Sequence, residues 1–544
     1  MPVQNINEKM RGYKSVKKVT FVLIIAFILS VFFSGVCYAD NPVVQTIFTA
    51  DPAPMVYNGT LYLYTSHDED NASSTFVMKD WRCYSTTDMV NWVDHGVILD
   101  TKQVTWSNGG AAYAGQCIAR NGKFYWYFPT TSTSNGQFCI GVAVSNSPTG
   151  PFTDIGHPLV PANLTTAPSQ HSWEDIDPTV FIDDNGQAYL YWGNNMCYWV
   201  KLNTVMISYS GTPTSIALTS TAFGPDYEEA PWLWKHNGLY YLAYASSIPE
   251  SIHYSTSSSP TGPWTYKGCI MAVQSKSQGN HPGIADFNGK SYFFGFNEGL
   301  PNSGTYKRSV CVKPFTYNSD GTIPKLQEFS TTDTSQIGTL NPFKQTEAET
   351  ICWESGVETE ICSEGGMDVG FIENGDYIKV KGVNFGFGAA TFDARVASNT
   401  NGGNIELRLD SPTGTLIGTC NVLGTGGWQT WTTKSCSVSG ATGIHDLYFK
   451  FTGSSDYLLN FNWWKFNASE PIPTSIIGDL NEDNSIDALD YSLMKKFLLG
   501  VITDLPAKDD MYVADLDDDG SITALDLSLI KQYLLGAITK FPKV

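Results

Sequence analysis

Charged side chains are scarce in this sequence, and basic ones are the scarcest. Only 16% of the 544 residues are charged, and 33 Lys and Arg stand against 53 Asp and Glu, for a formal net charge of -20. Nucleic-acid binding needs a basic surface, so this class of function is excluded. Aromatic residues reach 13%. Low charge together with many rings favours a neutral, polyhydroxylated ligand over an ionic one.

Closely spaced cysteine pairs are also absent. Beyond Cys37 in the N-terminal segment, ten cysteines are scattered without a CxxC spacing, at positions 83, 117, 139, 197, 269, 311, 352, 362, 420 and 436. An exported chain could form disulfides among them, but spacing alone assigns no partners. The cysteines therefore predict neither a disulfide pattern nor a metal site.

A long hydrophobic run occurs only near the N-terminus. Three lysines precede an apolar stretch at residues 19–33, and small residues follow up to Ala39. This pattern predicts a secretory signal peptide at residues 1–39. A membrane anchor is disfavoured because the run is shorter than the ~20 residues of a span, and a lipid anchor on Cys37 is disfavoured because Val36 precedes it. We expect an acidic secreted protein that is free of the membrane after cleavage.

Helical periodicity is nearly absent from residues 40–340, which instead contain a degenerate repeat. Each copy is an Asn-Gly turn that leads into a strand rich in aromatic and aliphatic residues. The turns begin at Asn58, Asn121, Asn185, Asn237 and Asn288, with spacings of 63, 64, 52 and 51 residues. Such spacing suits one four-stranded blade per copy, so the region is predicted to be a five-bladed β-propeller.

Ionisable residues recur at equivalent positions of this repeat. Seven or eight residues before the five turns lie Asp51, the Tyr113-Ala114 pair, Asp177, Glu229 and His281. Four of the five positions are ionisable, on strands expected to line the central channel. Core packing does not explain this pattern, because unpaired charge is costly to bury.

Carboxylates that face one polar channel can hydrolyse a glycosidic bond, since one protonates the leaving oxygen and another activates water. Asp51 is the candidate base. Glu229 is the candidate acid, because the Ala-Pro-Trp that follows it would desolvate it and raise its pKa. Asp177 would orient the acid and tune its proton affinity. Glu228 competes with Glu229, because side chains alternate along a strand.

Two other residues are candidates for the same channel. His281 would line the channel, or hold a central ion or water, unless it is an ordinary hydrogen-bonded core residue. Arg308 would pair with a catalytic carboxylate or a sugar hydroxyl, unless it forms an ordinary surface ion pair.

Two more regions follow the propeller. Residues 343–467 contain short alternating strands separated by Gly, Ser and Asn, which predicts a β-sandwich, and residues 468–475 form a linker. Residues 476–544 are a tandem duplication with a period of 36 residues, each copy a calcium-type loop followed by an apolar helix. Oxygen side chains stand at loop positions 1, 3, 5, 9 and 12, namely Asp479, Asn481, Asp483, Asp487, Asp490, Asp515, Asp517, Asp519, Thr523 and Asp526.

The propeller region resembles glycoside hydrolase family 43. The resemblance rests on five stretches: Ala50-Asp51-Pro52, residues 173–186, Glu229-Ala-Pro-Trp, Asn280-His281-Pro and Lys307-Arg308. It implies a five-bladed propeller of inverting enzymes, with Asp51 as base, Asp177 as modulator and Glu229 as acid. It also implies that His281 and Arg308 are channel residues that contact substrate.

Residues 66–70 and 87–96 resemble the branch of that family that acts on xylan and its arabinose decorations. The expected activity is release of α-L-arabinofuranosyl units from arabinoxylan. A β-xylosidase or another xylan- or arabinan-active hydrolase with the same site is an alternative. A propeller that only binds polysaccharide is an alternative from another class.

The sandwich region resembles a family 6 carbohydrate-binding module. The resemblance implies that a sugar is held between Tyr377 and Trp431, with Asn460 completing the hydrogen bonds, and Trp428 could exchange roles with Trp431. It also implies a structural calcium at Glu347, Glu349 and the region of Asn462, where many members have Asp.

The C-terminal region resembles a type I dockerin over its whole length. This implies two calcium ions in the loops and docking onto a cohesin module of a scaffoldin. The recognition pairs would be Ala488-Leu489 and Ala524-Leu525. Together the regions predict a secreted hemicellulase of a cellulosome, which binds calcium and acts on hemicellulose.

Overall fold

The computed structural model describes residues 38–39, 41–162, 164–165, 173–273, 278–331, 333–454, 456–468, 476–507 and 509–543. The predicted signal peptide up to residue 37 and the linker after Ala468 lie outside these residues. The chain divides into Met1–Tyr38 and Ala39–Val544, with a two-residue strand, β1 (Tyr38–Ala39), at the division. No helix among the described residues has both the length and the apolar character to cross a membrane.

Among the described residues between Phe48 and Phe315, five antiparallel sheets follow one another, and each begins with the strand that precedes one repeated turn. Their strands are β2 (Phe48–Tyr57), β3 (Thr60–Asp68), β4 (Asp80–Thr86) and β5 (Trp92–Asp100); β6 (Gln116–Arg120), β7 (Lys123–Thr131), β8 (Phe138–Ser145) and β9 (Thr153–Asp154); β10 (Thr179–Ile182), β11 (Ala188–Trp192), β12 (Cys197–Leu202) and β13 (Tyr209–Ile216); β14 (Glu229–His236), β15 (Leu239–Ser246), β16 (Ser251–Ser257) and β17 (Thr265–Met271); and β18 (Gly283–Phe287), β19 (Lys290–Asn297) and β20 (Ser309–Phe315). A 3-10 turn at Thr101–Gln103 and a short helix, α1 (Ser220–Phe223), lie in the connections.

The first strands of the sheets surround one axis. Contacts run from β2 to β6, β6 to β10, β10 to β14, β14 to β18 and from β18 back to β2. Aromatic side chains such as Trp81, Trp126 and Trp192 are fully buried in the propeller, where large rings fill the space between packed sheets. The prediction of a mainly β chain that starts with a propeller is confirmed.

Four of the five repeated turns have the backbone that an Asn-Gly hairpin requires. Asn58, Asn121, Asn237 and Asn288 have φ values between 46° and 52°, and each is followed by a glycine at positive φ. Asparagine and glycine tolerate this left-handed conformation best. The third turn differs, because Asp183 donates its backbone N–H to the Gln187 carbonyl and closes a longer loop around Gly186.

The second region is a sandwich of two sheets. The first contains β25 (Glu358–Ile361), β26 (Met367–Gly370), β33 (Asn460–Ala468), β28 (Ala389–Ser398) and β31 (Gly427–Ser437), and β22 (Thr346–Glu347) also pairs with β33. The other contains β24 (Trp353–Ser355), β27 (Tyr377–Asn384), β32 (Ile444–Thr452), β29 (Gly403–Leu409) and β30 (Thr415–Val422). Phe392, Phe449, Phe461 and Trp464 are fully buried between the sheets.

Backbone hydrogen bonds join the propeller and the sandwich. A two-residue strand, β21 (Thr334–Ser335), follows the last propeller sheet, and β23 (Thr350–Ile351) then pairs with β5. The chain thus adds a fifth strand to the first propeller sheet as it enters the sandwich. Asn91 and the backbone of Lys381 also exchange two hydrogen bonds, of 3.0 and 2.8 Å.

The last region is helical, with α2 (Ala488–Leu498), α3 (Asp510–Ala514) and α4 (Ala524–Leu534). Helices α2 and α4 pack on each other around a small apolar core that includes Met494 and Ile530. Asp487 and Thr523 cap α2 and α4, and Asp490 and Asp526 complete two capping boxes. The residues predicted at loop positions 9 and 12 therefore also begin the two helices.

Candidate active site

Three strained backbone positions bring the acidic side chains of the propeller into one pocket. Asp51, Asp177 and Ala230 have φ values of 54°, 58° and 56°, and each precedes a proline. A left-handed conformation is unfavourable for these residues, and a following proline restricts them further. In β2 and β14 this position lies in an irregularity of strand pairing, at Ala50/Ala53 and Glu229/Trp232. Strain of this kind concentrates at functional sites.

Asp51 lies between two cationic groups. It is 4% exposed, the Arg308 Nη1 donates to its Oδ1 at 2.9 Å, and the His281 Nδ1 lies 3.1 Å from the same oxygen. Burial alone would raise the pKa of Asp51, but the charges of Arg308 and then His281 outweigh it and lower that pKa well below its usual range. Asp51 is therefore ionised, as a base must be.

Arg308 is held rigidly by a carboxylate outside the predicted set. Asp68 is completely buried and accepts hydrogen bonds from Nε at 2.9 Å and Nη2 at 3.0 Å of Arg308. The guanidinium also lies 4.5 Å from the centroid of the Phe76 ring. A guanidinium fixed in this bidentate way presents its remaining Nη1 to Asp51 in one direction.

The His281 ring stands between two of the carboxylates. Its Nδ1 faces Asp51, and its Nε2 lies 3.1 Å from Asp177 Oδ2. Burial opposes protonation, but Asp51 and Asp177 outweigh it and raise the pKa of His281 well above its usual range. Asp177, Glu229 and His281 also place ligand-type atoms within 4.8 Å of one another, a grouping that could hold a metal ion.

Glu229 has the opposite electrostatic environment from Asp51. It is 9% exposed and accepts a hydrogen bond of 2.6 Å from Asn194 Nδ2. Burial, followed by the negative charge of Asp177, raises the pKa of Glu229 to about 8. The neighbouring Glu228 is only half-buried, so the geometry favours Glu229 as the proton donor. Asp177 Oδ2 also accepts a hydrogen bond of 3.1 Å from the backbone N–H of Ala230. This bond connects Asp177 to the strand that carries Glu229.

Sequence reasoning did not assign roles to Asp68 and Asn194, and the hairpin register explains how they reach the site. Asp68 ends β3 and is paired with Phe48 at the start of β2, and Asn194 follows the end of β11. The second strand of each hairpin thus ends beside the start of the first strand, close to the site. Polar residues nine or ten positions after each repeated asparagine are the sequence signal for residues such as Asp68 and Asn194.

The structure places the predicted sugar-binding residues of the sandwich on both sheets, with Tyr377 on one and with Trp431 and Asn460 on the other. Tyr377 lies on β27, with its ring centroid 5.7 Å from that of Tyr448. Trp431 lies on β31 of the other sheet, where its Nε1 donates to Ser363 Oγ at 3.0 Å. Asn460 is buried and donates to Glu360.

An exposed aromatic cluster forms elsewhere on the sandwich. The ring of Tyr457 lies 6.0 Å from Phe371 and 6.4 Å from Trp428, and Phe371 and Tyr457 are each 44% exposed. Trp428, which the sequence offers as a substitute for Trp431, is thus the tryptophan with exposed aromatic neighbours.

Glu347, Glu349 and Asn462 line a cavity of about 660 Å³ between the sandwich and the propeller, together with Asp94. Glu349 is 3% exposed, and no described group hydrogen-bonds to its Oε2. Burial, and then the neighbouring Glu347, raises its pKa well above the usual range. A buried carboxylate with an unsatisfied oxygen, in a cavity that also contains Glu347, Asp94 and Asn462, fits a calcium ion.

The two C-terminal loops also fit calcium. Carboxylate oxygens of Asp515, Asp517 and Asp519 lie within 4.8 Å of one another. Burial raises the pKa of Asp515 to about 6, with Lys543 acting in the opposite direction. The first loop has the same fold, with Asp479 accepting the backbone N–H groups of Asp483 and Asn484.

The residue pairs predicted to recognise a partner lie at the start of α2 and α4. Leu489 and Leu525 are 49% and 53% exposed, so apolar side chains are presented at equivalent places in both copies.

Comparisons with known proteins match each region in the predicted order. Residues 39–323 match the family model described as glycosyl hydrolases family 43, residues 347–468 match carbohydrate binding module (family 6), and residues 477–535 match the dockerin type I domain. The resemblances stated from the sequence are thereby confirmed.

Relatives extend the match across two regions. The chain is 36% identical to the arabinoxylan arabinofuranohydrolase of Bacillus subtilis (strain 168), over 78% of this chain and 92% of that protein. It is 34% identical to the arabinoxylan arabinofuranohydrolase of Paenibacillus polymyxa, over 78% of this chain and 74% of that protein. A crystal structure of a family 43 arabinoxylan arabinofuranohydrolase from Bacillus subtilis, in complex with cellotetraose, superposes with a TM-score of 0.68 at 35% identity, covering 79% of this chain and 97% of that one.

Proposed function

The chain belongs to glycosyl hydrolases family 43, and we propose that it releases α-L-arabinofuranosyl units from arabinoxylan with inversion at the anomeric carbon. The observation that carries the proposed chemistry is the opposite protonation of two carboxylates near one pocket, Asp51 ionised and Glu229 protonated. The naming of two relatives as arabinoxylan arabinofuranohydrolases supports the choice of sugar and polymer.

In the proposed reaction, Asp51 removes a proton from a water molecule as its oxygen bonds to the anomeric carbon. Glu229 gives its proton to the glycosidic oxygen as that bond to the anomeric carbon breaks. Arg308 and His281 keep Asp51 ionised, and Asp177 keeps a negative charge beside Glu229 so that the acid retains its proton until the leaving group needs it. The His281 ring lies between Asp51 and Asp177, with one ring nitrogen 3.1 Å from each carboxylate.

The other regions deliver this activity to its substrate. The family 6 module binds polysaccharide, and we assign xylan as its ligand and the cluster of Phe371, Trp428 and Tyr457 as its contact surface. Calcium would bind at Glu347, Glu349 and Asn462 and in the two C-terminal loops. The dockerin would dock through Leu489 and Leu525 onto a cohesin of an extracellular scaffoldin. Attachment near the polymer raises the effective substrate concentration without changing the chemical step.

Product analysis tests the proposal. The full chain is incubated with arabinoxylan, debranched arabinan and linear xylo-oligosaccharides, alongside Asp51→Asn and Glu229→Gln. We expect free arabinose from arabinoxylan alone, and a loss of at least ~100-fold in rate in each variant. Xylose from the linear oligomers would assign a β-xylosidase instead. Retained xylan binding without release of any sugar would leave a binding protein.

A further inference from the structure

Two cysteines face each other where the edges of the two sandwich sheets meet. Strand β30 is the edge of one sheet and β31 is the edge of the other. Ser439 donates its backbone N–H to the Ile417 carbonyl at 2.9 Å. Because the two strands run in opposite directions, three residues forward from Ile417 and three back from Ser439 lead to Cys420 and Cys436.

The two thiols are in direct contact. The Cys420 thiol donates a hydrogen bond to the Cys436 sulfur, which lowers the pKa of Cys436 because the bond stabilises its thiolate, and raises the pKa of Cys420. Cys420 is fully buried, whereas Cys436 is partly exposed. A partly exposed cysteine whose pKa is lowered, beside a buried partner thiol, is the arrangement that favours thiol exchange.

We propose that Cys420 and Cys436 form a disulfide that staples the edge strands β30 and β31 when a small-molecule disulfide such as oxidised glutathione is present. The Cys436 thiolate attacks one glutathione sulfur and releases one glutathione thiolate, leaving a mixed disulfide. Cys420 loses its proton and attacks the Cys436 sulfur, which releases the second glutathione. The two protein thiols lose two electrons and two protons, and one glutathione disulfide becomes two thiols.

The disulfide would close a loop of the sandwich that contains two of its tryptophans. The loop that it closes contains residues 421–435, among them Trp428 and Trp431. Such a cross-link stabilises the folded sandwich mainly by restricting the unfolded chain. It joins strands that belong to different sheets, so it closes the sandwich at the edge where the chain passes from one sheet to the other.

Peptide mapping of the full chain tests the cross-link directly. The chain is incubated with oxidised glutathione or with dithiothreitol, alkylated under native and then denaturing conditions, and digested with trypsin. Trypsin cuts after Arg408, Lys434 and Lys450, so Cys420 and Cys436 fall in separate peptides, 409–434 and 435–450. We expect the oxidised sample to yield these two peptides joined, lighter by two hydrogens than their sum. Recovery of both as separately alkylated peptides, or of a stable glutathione adduct on Cys436 alone, would overturn the proposal.

Thermal unfolding provides a second readout with a matched control. The oxidised wild type should unfold several degrees above the reduced form, and Cys436→Ser should lose this difference. Cys269→Ser removes another partly exposed thiol, in the propeller, and should keep it. Equal melting temperatures of the oxidised and reduced wild type would show that the bond does not act as a staple.

Discussion

At the residue scale, the site depends on charges that shift proton affinities in opposite directions within a small volume. The Asp51 carboxylate is kept ionised by Arg308 and His281, and the Glu229 carboxyl is kept protonated by burial and by Asp177. Neither group could perform the other's role near neutral pH. The proposed acid and the proposed base therefore differ in the surroundings of each carboxylate rather than in the kind of group.

A further carboxylate contributes to the proton affinity of the acid. Glu250 is 3% exposed, no described group hydrogen-bonds to its Oε2, and its negative charge raises the pKa of Glu229. Because the acid must be protonated, kcat/KM should fall as pH rises through about 8. Glu250→Gln removes one negative charge, so we expect this fall to move to lower pH.

The pH dependence of kcat/KM on an arabinosylated xylo-oligosaccharide measures this shift. The fall in kcat/KM at high pH reports a macroscopic pKa of interacting groups rather than that of an isolated residue. Glu328→Gln, at an exposed position, is the control and should leave this fall in place. If Glu250→Gln has the melting temperature of the wild type and its kcat/KM still falls at the same pH, the electrostatic role of Glu250 is contradicted.

The sequence was sufficient to find the ionisable residues that face the pocket, but not the residues that hold them in place. Asp51, Asp177, Glu229 and His281 could be located because each stands seven or eight residues before a repeated Asn-Gly turn. The irregular pairing of β14 at Glu229 appears only in the folded sheet. Asp68 and Asn194 depend on which residues face each other across a hairpin, and that register is set by the folded sheet.

At the element scale, the two loops proposed to bind calcium contain buried carboxylates at the start of each loop and in the first turn of the helix that follows it. Asp479, Asp490, Asp515 and Asp526 are each at most 2% exposed. Without a cation, their mutual repulsion and desolvation oppose folding, and with calcium they become ligands. Metal and helical structure are therefore expected to be gained or lost together.

Chelation tests this coupling. We expect EDTA to make residues 476–543 of the full chain sensitive to protease and added calcium to restore their protection. The double variant with Asp479→Asn and Asp515→Asn should remain sensitive to protease in the presence of calcium. Asp504→Asn, an exposed carboxylate outside the loops, should behave like the wild type. Full protection of the double variant in calcium would contradict the assignment of these residues as ligands.

Elements differ in how far their sequence reveals their contacts. The propeller strands and the dockerin helices follow local signals, since turns and capping residues are encoded next to them. The sequence did not single out Phe371 as an exposed aromatic residue of the sandwich, because Tyr377 and Phe371 lie a few residues apart and only the folded loops decide which ring is exposed. The alternation of apolar and polar residues along a strand does not show which face of its sheet is covered by the other sheet.

At the scale of the whole molecule, the propeller and the sandwich share one continuous interface. The side-chain oxygen of Asn91 accepts a hydrogen bond from the backbone N–H of Lys381, and its side-chain nitrogen donates to the Lys381 carbonyl and to the Asp88 carboxylate. Asn91→Ala would leave these buried groups with fewer partners, at a cost of about 1–3 kcal/mol.

Calorimetry of the full chain measures this effect. We expect the wild-type propeller and sandwich to unfold in one transition, and Asn91→Ala to lower its temperature or divide it in two. Asn421→Ala, at an exposed position of the sandwich, should change neither. Two separate transitions already present in the wild type would show that the interface does not couple the regions.

Strand β23 has a consequence for how this chain could be divided. A propeller cut out at residue 340, where the sequence patterns change, would lose the strand that covers the outer side of β5. The backbone N–H and C=O groups of β5 that had paired with β23 could then pair with another molecule of the same fragment. Exposed sheet edges of this kind promote self-association. The isolated catalytic portion would thus be prone to aggregate even with every active-site residue in place, and a soluble fragment should extend past Ile351.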